Sequence, residues 1–85
     1  VSIPKVSIRQ VKAARALLGW SQTELAERSG VSEPTIKRIE AADGELGGRV
    51  DTAAKIRGAI ENAGVEFLTE GNAAGGAGVA LKRQG

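Results

Sequence analysis

The sequence predicts an all-α chain: a compact bundle of four to five helices, followed by a short C-terminal β segment or a flexible Gly-rich tail. Three observations carry that class. Apolar residues recur at three- and four-residue spacing from Ile8 to Ala63. Ser or Asp stands ahead of the periodic stretches, and Gly19, Gly30, Gly44 and Gly64 follow them. Strand-like runs appear only after Gly64. With 85 residues there is room for one small domain, and such a chain buries only roughly 60–65% of its unfolded surface.

The first helix is predicted over Ile8 to Leu18. Ser7 and Gln10 make a capping box, and Ile8, Val11, Ala14, Leu17 and Leu18 follow at helical spacing. Gly19 ends it. A second capping box, Ser21 with Glu24, opens a short helix over Gln22 to Ser29, with Leu25 and Ala26 turned inward. Gly30 stops it, because glycine takes the left-handed conformation without a side-chain clash. Ser32 caps the third helix, with Pro34 in its first turn, Ile36 and Ile39 toward the core, and Gly44 as its end. A polar, Gly-rich loop holding Leu46 runs to Arg49. Asp51 is expected to cap a fourth helix over Thr52 to Ala63, with Ala53, Ile56, Ala59, Ile60 and Ala63 as its buried stripe. Val65 to Leu68 reads as one strand and Val79 to Leu81 as another, either paired as a hairpin or lying in a disordered tail. Residues 1–6 are then an N-terminal arm, 7–64 the helical domain with its central motif at about 22–40, and 65–85 a C-terminal β and Gly-rich segment.

Composition removes much chemistry. The chain has no Cys and no His, so a disulfide framework, a thiolate nucleophile, a Ser–His triad and an imidazole metal ligand are all absent. No paired carboxylates or nucleophile–base set stand out, so no enzyme, no metal and no cofactor are expected. No apolar run is long enough to cross a bilayer. Absence of Cys fits a reducing compartment, and a cytoplasmic protein is the expectation.

Charge points to a partner only through its distribution. Twelve Lys and Arg against ten Asp and Glu give +2. Residues 1–20 hold Lys5, Arg9, Lys12 and Arg15 and no acid. Together with Lys37 and Arg38 they could form one positive face, although a merely solvated helix surface explains the same charges.

The informative stretch is Gln22 to Glu40. Two short helices that cross steeply need a small residue at closest approach, which Ala26 supplies. The turn between them needs a residue tolerant of positive φ, which Gly30 supplies. Ile36 and Ile39 would hold the second helix while Glu33, Pro34, Lys37 and Arg38 stay on its free face. These features, with Ala14–Arg15–Ala16–Leu17–Leu18–Gly19–Trp20–Ser21–Gln22, Glu24–Leu25–Ala26, Gly30–Val31–Ser32 and Thr35–Ile36–Lys37–Arg38–Ile39–Glu40, resemble the helix-turn-helix of the Cro and phage-repressor class, the XRE family. The resemblance spans about Ile8 to Phe67. Its ending, Gly64–Val65–Glu66–Phe67, looks like that of a subset of short bacterial members.

The resemblance implies a bundle of the phage-repressor type and sequence-specific binding of double-stranded DNA, with the second motif helix in the major groove. The base-contacting residues by position are Ser32, Glu33, Pro34, Thr35, Lys37 and Arg38. Lys37 or Arg38 could donate to guanine. Glu33 could accept from a cytosine amino group or simply favour the helix N-terminus. Pro34 could touch a thymine methyl or only shape the helix. Gln22 matches a position that in the family bonds a phosphate and braces the recognition helix, with an ordinary first-turn polar residue as the plainer reading. Arg9, Lys12 and Arg49 are phosphate candidates by charge. In the family the pair matching Arg15 and Glu40 forms a partly buried salt bridge. Trp20 is expected to pack over the first helix.

A homodimer reading two half-sites is expected, because one domain reads few base pairs. Phe67, Leu68, Val79 and Leu81 are the candidate interface. The overall expectation is a transcriptional regulator, a repressor on an inverted-repeat operator. Two other readings stay open: an antitoxin that binds a toxin protein and autoregulates its operon, and a protein-binding helix-turn-helix domain without DNA affinity.

Overall fold

A computed structural model of the chain describes residues 6–42, 44–46, 50–68 and 77–82. Its elements are α1 (Ile8–Leu18), α2 (Gln22–Ser29), α3 (Glu33–Ala41), α4 (Val50–Asn62), β1 (Val65–Leu68) and β2 (Gly78–Leu81). Among the described residues there are four helices and no fifth. Arg49, Lys5 and Arg83 lie outside the described residues, as does the Gly-rich stretch 69–76.

Local chemistry sets the helix ends. Ser7 accepts from the Gln10 backbone N–H, and the Gln10 side chain accepts from the Ser7 N–H at 2.8 Å, so the first capping box is complete. Only half of the second box forms. Ser21 accepts from the Glu24 N–H, but the Glu24 carboxylate turns away to accept from Arg28 at 2.9 Å. Gly19 and Gly30 end α1 and α2 in the left-handed conformation, at φ 70° and 76°.

Three sequence expectations need correction. α3 stops at Ala41, with an extended cap at Ala42, three residues before Gly44. Gly44 instead has its own positive φ within the following loop and accepts from the Ile8 N–H through its carbonyl. Asp51 lies inside the first turn of α4 rather than capping it, since that helix begins at Val50. Leu17 is 43% exposed, because α1 turns its inward stripe through Ile8, Val11 and Ala14 and presents Leu17 outward.

The core draws on all four helices and β1: Val11 and Ala14 from α1, Leu25 from α2, Ile36 from α3, Ile56 and Ile60 from α4, and Val65 and Phe67 from β1. Val6 and Val31 complete it. Fully buried aliphatic side chains such as Leu25, Ile36, Ile56 and Ile60 contribute about 1.5–3 kcal/mol each by leaving water. Leu18, Trp20, Ala26, Ile39, Leu46 and Val79 pack around this centre.

β1 and β2 pair antiparallel, with Val65 opposite Leu81 and Leu68 opposite Gly78. Of the two states left open for the C-terminal run, residues 78–81 therefore adopt the hairpin. The Lys82 N–H donates to the Gly64 carbonyl at 2.7 Å and closes one end. At the other end the buried Gln10 amide donates to the Leu68 and Gly78 carbonyls, at 2.8 and 2.9 Å. One glutamine thus caps α1 and clips both strands to it.

Candidate nucleic-acid interface

α2 and α3 are joined by Gly30, Val31 and Ser32. Gly30 provides the positive φ, and Val31 is buried, which pins the turn to the core. Ser32 accepts from the Thr35 N–H, so α3 starts without unsatisfied donors at that point. Ile36 is 1% exposed and fixes one side of α3. The opposite side leaves Ser32, Pro34, Lys37 and Arg38 in solvent, with Glu33 and Thr35 half-buried. The bracing of α3 and the freedom of its outer face follow from one stripe of apolar residues.

Two polar clusters flank this helix. The inner one centres on Glu40, whose side chain is 4% exposed. Arg15 donates through Nε to Glu40 Oε2 at 2.8 Å and through Nη2 to Oε1 at 2.7 Å, a bidentate pair. Its Nη1 donates to the Trp20 carbonyl at 3.0 Å. Gln22 Nε2 donates to Glu40 Oε1 at 3.0 Å. α1, α2 and α3 therefore meet at one carboxylate. Burial pushes the Glu40 carboxyl upward, yet the hydrogen bonds from Arg15 and Gln22, with the Arg15 and Lys12 charges, bring it net below its ordinary value. Hydrogen bonding to Glu40 holds Arg15 above its own, against the opposing effect of burial. The inner cluster stays charged and oriented at neutral pH.

The outer cluster lies on the exposed side. Glu33 Oε1 accepts from the Thr23 hydroxyl at 2.8 Å, and Glu33 Oε2 pairs with Lys37 Nζ at 3.2 Å. Those two contacts, Thr23 foremost, lower the Glu33 carboxyl below its ordinary value. Ser32 donates to the Thr35 hydroxyl at 2.9 Å. Among the described residues, the Arg38 side chain has no hydrogen-bond or ion-pair partner, and it is exposed.

Residues 11–50 match the family model described as Helix-turn-helix. The chain carries an XRE-type helix-turn-helix domain. The matched span takes in both clusters and all of α2 and α3. This helix-turn-helix belongs to a DNA-binding regulator family. No curated protein shows a significant match to the chain. Among the described residues no helix is long and apolar enough to cross a membrane, and no group of acidic, Cys or His side chains could hold a metal ion.

The remaining expected site residues fall in several places. In the helix-turn-helix, Gln22 lies at the start of α2 with its amide engaged by Glu40. Arg9 and Lys12 are exposed on α1. Trp20 packs against the core, and the Arg28 guanidinium lies 5.2 Å from its ring centroid. Phe67 is 8% exposed and belongs to this chain's own core, with Arg57 5.9 Å above its ring, so little of it is left for a second copy. Val79 and Leu68 are half-buried, and Leu81 is 52% exposed. Sequence reasoning missed Thr23 as the partner of Glu33, and it missed Gln10 beyond its capping role. No local spacing signals either contact, since one spans 10 residues and the other 58 and 68.

Proposed function

We propose that the chain is a sequence-specific transcriptional regulator, a repressor that binds double-stranded DNA as a homodimer on an inverted-repeat operator. The observation that carries this reading is α3 itself. Its inner side is fixed by Ile36 and Glu40, and its outer side offers Ser32, Glu33, Pro34, Thr35, Lys37 and Arg38 to a groove. Arg38 is the residue suited to a bidentate contact with guanine O6 and N7. Gln22, Arg9 and Lys12 would meet phosphates. Gln22 commits one amide N–H to Glu40, which leaves the second available. The dimer contact would use the hairpin: Leu68 lies on its outer face with Glu66 and Ala80, while Leu81 lies on the core-facing side with Phe67 and Val79 but stays 52% exposed at the strand end.

Selection of the full chain against a randomised duplex library at two salt concentrations tests this. Enrichment of an inverted repeat with half-sites about 34 Å apart supports the dimeric reader. On the selected duplex, Arg38→Gln should cost about 1–3 kcal/mol of binding and relax the preference at one base pair per half-site. Absence of both enrichment and salt-sensitive binding would remove the DNA reading and favour a protein partner.

A further inference from the structure

The outer side of α3 is bonded within itself and to α2. Glu33 is held at both carboxylate oxygens, by Thr23 of α2 and by Lys37 of its own helix. Ser32 and Thr35 are bonded to each other. Arg38 is the charged side chain of this face without a partner among the described residues.

A helix-supporting role does not explain the Glu33 cluster. An exposed Glu–Lys pair four residues apart steadies a helix only slightly and is screened by salt. It also needs no contribution from a neighbouring helix. Here the Thr23 hydroxyl reaches over from α2 and fixes the carboxylate at 2.8 Å, which removes the rotamer freedom that makes such surface pairs transient. The carboxyl is also held below its ordinary value, so it stays charged at neutral pH. The effect is electrostatic: a fixed negative charge sits at the end of α3 that would enter the groove, and the Lys37 ammonium is turned toward it rather than outward.

Resting on the DNA-reading proposal above, we propose that Glu33 is a specificity-determining residue: fastened by Thr23, it withholds Lys37 from phosphates, suppresses sequence-independent DNA binding, and leaves discrimination to Arg38. Sequence-independent affinity is set by the number of phosphates neutralised, each adding about 0.9 to the salt slope on duplex DNA. Cancelling one cation lowers that background. Contacts to base edges, made at short range, are affected far less. A regulator with few base-reading side chains gains selectivity this way, because selectivity is the ratio of specific to background affinity.

The test is the salt dependence of binding to a mixed-sequence duplex long enough for two half-sites. It compares the full-length wild-type chain with Glu33→Gln, Lys37→Gln, the double variant and Thr23→Val. Glu33→Gln should bind this duplex roughly three- to tenfold tighter at low salt, with a slope steeper by about one. In the Lys37→Gln background the same substitution should gain about twofold or less, because the released ammonium is no longer there. Thr23→Val keeps the charge but frees the carboxylate, and its gain should fall between wild type and Glu33→Gln. Library selection with Glu33→Gln should show weaker enrichment than wild type. Thr23 and Lys37 are exposed and Glu33 is half-buried outside the core, so melting curves serve as the control for folding. Two results overturn the inference: no gain for Glu33→Gln, or an undiminished gain in the Lys37→Gln background. If wild type binds with salt sensitivity and Glu33→Gln matches it, only the role of Glu33 falls. If wild type shows no salt-sensitive binding at all, the DNA reading falls with it.

Discussion

α3 carries two carboxylates, Glu33 at its first residue and Glu40 near its last, and both are held in the same way. Each accepts from a cation and from a neutral side chain of α2's first turn. For Glu40 these are Arg15 and Gln22; for Glu33 they are Lys37 and Thr23. The neighbours Gln22 and Thr23 thus reach the two acids of the next helix. The difference is solvent. The Glu40 side chain is 4% exposed and the Glu33 side chain 35%. A buried pair must be complete, because a lone charge left inside is costly, so the inner cluster governs stability and the angle of α3. A wet pair contributes little to folding, so the outer cluster is free to shape what approaches the surface. One arrangement of atoms gives two outcomes, decided by burial.

The largest break in that comparison is Arg15→Ala. It strands the Glu40 carboxylate and should cost about 2–3 kcal/mol, below the range for a fully buried pair because Arg15 is 20% exposed. Denaturant unfolding measures it. If the variant is too unstable to study, Gly58→Ala offers a firmer background. Nothing lies within 4 Å of the added methyl, and replacing a mid-helix glycine should return about 0.5–1 kcal/mol. An Arg15→Ala chain with unchanged melting but weakened DNA binding would reverse the structural assignment.

Gln10→Ala comes next. It removes the clip on the Leu68 and Gly78 carbonyls and half of a capping box, so about 1–2 kcal/mol is expected. Hydrogen exchange should locate the loss in β2 and the start of α1, with α2 and α3 protected as before.

Acid sharpens the contrast further. The folded-state carboxyl of Glu40 is depressed, so its contribution is present above the ordinary value of 4.5 and is lost as pH falls below it. The unfolding midpoint of wild type should decline through that window. In Glu40→Gln the decline should be shallower, from a lower starting stability. The smallest effect is on the wet side: Glu33→Gln and Thr23→Val should lower the thermal midpoint at neutral pH only slightly, far less than Arg15→Ala or Gln10→Ala.

Much of this architecture is legible in the chain because its signals are local. The Ser7–Gln10 box, the glycines after α1 and α2, and the three-and-four spacing of apolar residues act over one or two turns. α1, α2 and β1 accordingly have the expected bounds. The errors arise where two local signals compete. Glu24 could close a box to Ser21 or pair with Arg28, and the ion pair wins. Gly44 looks like a helix end but serves the loop that lies against Ser7 and Ile8. Asp51 looks like a cap, but α4 begins one residue earlier. At the candidate site, α3's outward residues follow from the positions of Ile36 and Ile39. The partners of Glu40 and Glu33 do not follow from any spacing, since 25, 18 and 10 residues separate those bonded across helices. The first was implied only by family resemblance, and the last had no signal.

The central claim is that α3 is the surface that meets DNA. Amide chemical shifts of the full chain, followed as a mixed-sequence duplex is added at low salt, test it most directly. The account predicts the largest changes from Ser32 to Arg38 and at the first turn of α2, reversed by added salt, with the hairpin unaffected by DNA. Changes confined to β1 and β2, or none that salt reverses, would contradict it.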